Sequence, residues 1–398
     1  GNCPNDALVG IDNILGNLGS LARFPNAALA EGRLSGRPAI VASAGPSLEA
    51  HLPLLRDIQD RVPIFCPDTS IRILQSAGVR PHLAASRERT PGTVRHFEEL
   101  PHDDFALVCF PVLSPRVFEA FRGPTAFLHR LGDWYMWHRP EGPEIDFNGS
   151  AGNLAFRVAA LLGCDPIILV GQDLCFAEGG GTHASGAING AKQSAYDAME
   201  KTTVPGNRGG TVETTACWRN FLRFFEMDVH RLPNRVINAT QRGAHIRGTE
   251  VMTLEDALRE APLGPDPRAD VLGLFPPREG AELRAHVDRL TKLLRDTRAG
   301  MKEIRKSVQV GFELTRRALA EHSPPKTPRP DLSLLLGETP YCELDALRTS
   351  TINCAKDTFT YFLFPTFQSV HFALEIERYG AEARAEAEGD VEALGRDI

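Results

Sequence analysis

Five short runs in this chain carry residue types suited to holding anions or moving protons. The first is Ala44-Gly45-Pro46-Ser47-Leu48. Gly45 lets a ligand approach the backbone, Pro46 suits a first helical turn, and Ser47 caps or donates to an oxyanion. Free N–H groups at a helix start attract phosphate. A plain strand-to-helix turn capped by Ser fits the same residues, and both readings stay open. The second run pairs Asp68 with Glu88, carboxylates that follow two expected strands. Such carboxylates accept from ribose hydroxyls or a base, though Asp68 also reads as a helix cap and Glu88 as a partner of Arg87 or Arg89. The third is Asn148-Gly149-Ser150-Ala151-Gly152-Asn153, where Ser150, Gly152 and Asn153 open an apolar helix either as a ligand turn or as a capped, closely packed one.

The fourth run is Gly171-Gln172-Asp173, directly after the most hydrophobic strand. A buried carboxylate needs a partner or a ligand, so Asp173 is a candidate catalytic group. The fifth, Gly179-Gly180-Gly181-Thr182-His183, offers an imidazole for proton transfer near neutral pH, although a loop histidine also reads as simply exposed. Asn238 and Thr240, with Arg208, Arg242 and His245, add candidate contacts to an anion or a sugar. The sequence has no GxxxxGK[ST] loop, no GxSxG elbow, no HExxH and no Asp-x-Asp pair. Nothing in it marks a resident metal.

These runs need elements to hold them at strand ends. Short apolar stretches at 38–43, 62–66, 83–86, 105–110, 125–128, 166–170 and 236–239 read as strands. Helical stretches lie between most of them. Alternation at this spacing predicts βαβ units, an α/β fold with a Rossmann-like, mostly parallel sheet. Ligands then bind beyond the carboxyl ends of the strands, where the candidate residues fall. Residues 1–36 read as a helical lead-in and 37–260 as the Rossmann-like domain. Residues 261–280, rich in proline, read as a linker, and 281–398 as a helical domain. The Gly-, Ser- and Thr-rich segment 177–215 reads as a functional loop with a helix near Lys192–Lys201.

Composition sets the outer bounds. The 398 residues carry 44 basic and 51 acidic side chains, a net charge of −7. That argues against broad binding to nucleic acid or to an anionic membrane. Eight cysteines, the closest two eleven residues apart, leave no CxxC motif and suggest a reduced, cytoplasmic protein. No apolar run approaches a membrane span. The chain opens on Gly1 without Met, so further sequence upstream is expected.

The combination of Ala44-Gly45-Pro46-Ser47-Leu48, Gly149-Ser150-Ala151-Gly152-Asn153 and the run from Leu162 to Leu174 resembles the motility accessory factor (Maf) flagellin glycosyltransferases. Thr182-His183, Val204-Pro205-Gly206-Asn207 and Asn238-Ala239-Thr240 extend the likeness across residues 1–255. That group is related to 6-hydroxymethylpterin diphosphokinase-like proteins, and the same motif order is similar to bacterial sialyltransferases. The resemblance implies a sialyltransferase-like fold and a transferase that uses a CMP-sugar without a metal or other cofactor. It implies flagellin as the protein acceptor. It also implies a donor site over Ala44 to Leu48, Asp68, Ser150, Gly152, Asn153, Gly171, Gln172, Asn238 and Thr240, with Asp173, His183 or Glu88 as catalytic groups. The alternative it carries is a diphosphokinase that uses ATP and Mg²⁺. Where Maf-like chains often have an Asp after the third strand, this sequence has Ser86-Arg87-Glu88-Arg89.

Overall fold

A computed structural model describes residues 4–100, 103–131, 141–188, 198–240 and 242–321. The expected helix near Lys192–Lys201, for the most part, and the expected helical block after residue 340 lie outside these residues. The described chain divides into two compact units, and one of them, Val9–Leu131 with Pro140–Arg284, contains every candidate site residue.

That unit is built on an eight-stranded sheet. Its strands are β1 (Ala39–Ala42), β2 (Ile64–Pro67), β3 (Leu83–Ser86), β4 (Ala106–Cys109), β5 (Thr125–Phe127), β6 (Ile167–Val170), β9 (Val236–Asn238) and β10 (Glu250–Val251), numbered to leave β7 and β8 for a separate hairpin. All seven pairings are parallel, in the order β10-β9-β6-β1-β2-β3-β4-β5. The strands from β1 to β6 are buried along their whole length. This explains why they read as unbroken apolar runs: helices cover both faces of a parallel sheet, so alternation with polar residues has no place. The Rossmann-like α/β class expected from the sequence is what the chain adopts.

Helix α6 (Ala151–Leu161) lies against β1, β2 and β3. Its Phe156 is fully buried and packs on Phe225 of the helix Ala216–Arg231, ring centroids 5.5 Å apart. Losing a phenyl ring from such a site costs about 3–5 kcal/mol. Arg157 of α6 and Asp228 of the same neighbouring helix form a largely buried ion pair at 3.3 Å. The two helices are therefore fixed by an aromatic contact and a charged one.

The segment read as a loop at 177–215 contains a hairpin, β7 (Lys201–Pro205) paired antiparallel with β8 (Thr211–Thr215). Its signal was present: β-branched Thr and Val on both arms and Gly209-Gly210 at the turn, both with positive φ. The Pro-rich run after Ala261 packs on the same unit. Phe275 is buried there, and Arg268 donates to the carbonyls of Arg80, Pro81 and Asp104. No described helix is long and apolar enough to cross a membrane.

Candidate functional site

Strand order decides where a ligand can sit. The chain runs outward from β1 to β5, then returns to place β6 on the other side of β1. The sheet thus reverses direction between β1 and β6, and the crevice at their carboxyl ends is the topological switch point. The turn after β1 holds Gly45 to Leu48, and the turn after β6 holds Gly171 to Asp173. A cavity of about 530 Å³ opens there, within the range of ligand pockets. Gly45, Asp68, Glu88, Ser150, Asp173 and His183 all line it, as do Ala44, Gly152, Gly171 and Gln172.

Asp173 lines the cavity just past the end of β6 and is 5% exposed. Its Oδ2 accepts from the Ser47 amide at 3.1 Å and from the Ser47 Oγ at 2.9 Å. The carboxylate therefore caps the turn after β1 from across the sheet. Burial pushes its pKa up to about 6, against the opposing effect of the Ser47 hydrogen bonds. Gly45 is required by this contact, since a Cβ there would lie 2.0 Å from Asp173 Oδ2 and 2.4 Å from the Gly171 carbonyl. Gly171 has φ +67°, and a Cβ would meet the Ser43 carbonyl at 2.2 Å.

This cap changes the part played by the first turn. The amide of Gly45 donates to the Gly171 carbonyl, that of Ser47 to Asp173, and that of Leu48 to the Gly45 carbonyl. Pro46 has no N–H. The backbone nitrogens expected to hold phosphate are already engaged within the protein, and Pro46, Ser47 and Leu48 do not line the cavity.

Asp68 is 2% exposed and receives the Ser86 hydroxyl at 2.5 Å and the Thr69 amide at 2.8 Å. Burial raises its pKa to about 6. The Glu88 carboxylate adds to the rise, while Ser86, the Thr69 amide and Arg87 oppose it. Glu88 itself is exposed at the rim. His183 is half-buried, with Nδ1 3.0 Å from the Thr182 hydroxyl. Its loop is tied to the first turn by the Ala184 amide, which donates to the Ala44 carbonyl at 2.9 Å, and by the Ser185 amide, which donates to Glu49 Oε1 at 2.5 Å.

Ser150 caps α6 in a reciprocal box with Asn153: its Oγ accepts the Asn153 amide while Asn153 Oδ1 accepts the Ser150 amide. Asn153 is fully buried and does not reach the cavity. Nor do Asn238 and Thr240. Thr240 Oγ1 accepts the Gln172 amide at 3.2 Å, and Asn238 Oδ1 accepts the Thr240 amide at 3.0 Å. Those two residues, expected as ligand contacts, brace the strand end that presents Gln172. Gln172 Oε1 in turn accepts the Ser43 hydroxyl at 2.6 Å.

The structure adds groups that the sequence reading did not select for the site. Arg87, Arg95 and His96 also line the cavity. Trp218 and Phe221, from the helix Ala216–Arg231, and Cys175 supply aromatic and apolar surface. Burial and the nearby Asp173 push the Cys175 thiol up to about 12, so it is inert near neutral pH. Arg87 stood in plain sight beside Glu88 after β3. The aromatic pair had no local signal, because a helix face becomes a cavity wall only through packing. Among the described residues, no three His, Cys, Asp or Glu side chains are grouped to hold a metal ion.

A Rossmann-like sheet with a polar cavity at its switch point is thus the class of protein defined here. A family model described as 6-hydroxymethylpterin diphosphokinase MptE-like matches residues 12–179, a span that includes β1 through β6 and the turns after them. A solved structure of a Maf glycosyltransferase from Magnetospirillum magneticum AMB-1 is similar at a TM-score of 0.58 and 18% identity. The similarity covers 91% of this chain and 56% of that one, so this chain spans little more than half of that structure. At this identity the likeness is one of fold. A comparison with curated proteins gave no match. The family model and the structural neighbour both bear out the resemblance drawn from the sequence motifs.

Proposed function

We propose that the protein is a glycosyltransferase that moves a nonulosonic acid, a sialic- or pseudaminic-type sugar, from its CMP donor to Ser or Thr of flagellin. The observation that carries this reading is the convergence of Asp68, Asp173, Ser150 and His183 on one switch-point cavity. In this reading Asp68 accepts from the nucleoside, and Ser150 and Gly152 line the donor pocket. Asp173, ionised above about pH 6, lies where positive oxocarbenium-like charge develops on the sugar. The bond from the anomeric carbon to the phosphate oxygen breaks and CMP leaves. The acceptor hydroxyl oxygen bonds to that carbon, and its proton passes to His183 or Glu88. No cofactor is needed for this step. The likeness to a Maf glycosyltransferase structure supports a transferase of this kind.

The test is transfer itself. Flagellin incubated with the protein and a CMP-linked nonulosonic acid should gain the mass of the sugar, and Asp173→Asn should remove the gain. Absence of both transfer and binding for every CMP species tried would overturn the reading. The MptE-like match favours a second reading, a diphosphotransferase that uses ATP and Mg²⁺ on a pterin alcohol. Formation of AMP that depends on the pterin would establish it instead.

A further inference from the structure

We infer that Arg87 and Arg95 form an oxyanion-binding wall of the switch-point cavity, which takes a phosphate or carboxylate group of the ligand. The inference deepens the reading above, since a CMP-linked sugar acid carries both groups.

Arg87 follows β3 at its carboxyl end. Its Nη1 donates to the Gly149 carbonyl, just before the cap of α6, while its Nε is buried with no hydrogen-bond acceptor among the described residues. Arg95 stands on the 3₁₀ turn Pro91–His96, exposed and facing the same cavity. Among the described residues, neither guanidinium has a carboxylate oxygen within 4 Å, whereas Arg80, Arg157, Arg235, Arg247 and Arg268 each do. In a chain with 51 acidic residues, two arginines that form no close ion pair among the described residues line the same cavity, Arg87 acting on Asp68 only at longer range. His96 lines it as well.

The α6 start adds to this pole. Ala151 and Gly152 line the cavity, and their amides come before the first i−4 carbonyl of the helix. Arg87 grips the carbonyl of Gly149, so guanidinium and helix start are held side by side. The cavity lining therefore carries both signs of charge: the carboxylates of Asp68 and Asp173, and the guanidinium groups of Arg87 and Arg95. A guanidinium fork is matched to a planar carboxylate or to two phosphate oxygens.

Calorimetry on the full chain with CMP, cytidine, N-acetylneuraminic acid and pyrophosphate tests the wall. Wild type should bind CMP more tightly than cytidine. Arg95→Gln and Arg87→Gln should each weaken CMP about tenfold and leave cytidine unchanged. A loss seen with the sugar acid and not with CMP would assign the wall to the carboxylate instead. Arg95→Gln is the decisive variant, because among the described residues its side chain makes no hydrogen bond or ion pair, and its removal should leave the melting temperature unchanged. Arg95→Gln binding CMP, the sugar acid and pyrophosphate as tightly as wild type overturns the inference, as does a wild type that binds none of the three. Pyrophosphate binding lost in the variants, with no binding of CMP or sugar acid by wild type, keeps the wall and removes the CMP-sugar reading.

Discussion

The turn after β1 and the start of α6 look alike in sequence. Both are short runs of Gly, Ser and Ala that open a helical segment beside the cavity. They end up doing opposite things. At Gly45 to Leu48 every N–H is consumed inside the protein, one of them by the Asp173 carboxylate. At Ser150 to Asn153 the cap is satisfied locally, leaving Ala151 and Gly152 at the cavity surface. The first turn serves to position a carboxylate, and the second faces the cavity. A small-residue turn at a strand end therefore does not by itself mark an anion site. What matters is whether another strand end brings an acceptor to it.

The largest expected effect comes from forcing the first turn apart. Gly45→Ala places a methyl group 2.0 Å from Asp173 Oδ2 and 2.4 Å from a backbone oxygen, so the floor must shift. A loss of about 3 kcal/mol in denaturant unfolding is expected. The corresponding change at the second turn, Gly152→Ala, meets the Gln172 side-chain tip at 2.7 Å and should cost less. Equal losses would erase the distinction between the two turns.

The next effect is the pH dependence of the floor. Asp173 and Asp68 both have folded pKa values near 6, raised from 3.8. Between about pH 4 and pH 6 the folded state holds more protons on these groups than the unfolded chain does. Their contribution to stability therefore falls as pH rises through that window, by roughly 1 kcal/mol per pH unit for each group. His82 works the other way, since burial lowers its pKa to about 3 and folding is penalised below pH 6.5. The clean measurement is the difference between Asp173→Asn and wild type. The variant should gain on wild type as pH rises from 4 to 6 and hold a constant offset above 7. A difference that does not vary with pH would show that Asp173 titrates normally.

Smaller effects sharpen the comparison. Ser47→Ala removes one of two donors to a buried carboxylate and should cost about 2 kcal/mol, with Asp173 titrating at still higher pH. Ser150→Ala removes an ordinary helix cap and should cost about 1 kcal/mol, with no change in the titration of Asp173. Chemical denaturation at pH 7 and NMR titration of the carboxyl carbons measure both.

The sequence by itself determined the parallel α/β sheet, the strand-end positions of Asp68 and Asp173, and the place of Ser150 at a helix start. Buried strands need continuous apolar runs, and those runs are visible without a fold. It also holds the signal for the β7–β8 hairpin, masked by surrounding glycines that read as loop. Tertiary structure alone decided the order β6-β1-β2, and with it the meeting of Asp173 and Ser47 across 126 residues of chain. It also decided that Asn238 and Thr240 brace Gln172 instead of facing a ligand, and that Arg87, Arg95, Trp218 and Phe221 share one cavity. Local propensity acts over a few residues, whereas hydrogen-bond partners are chosen by proximity between strands that the chain lays down far apart.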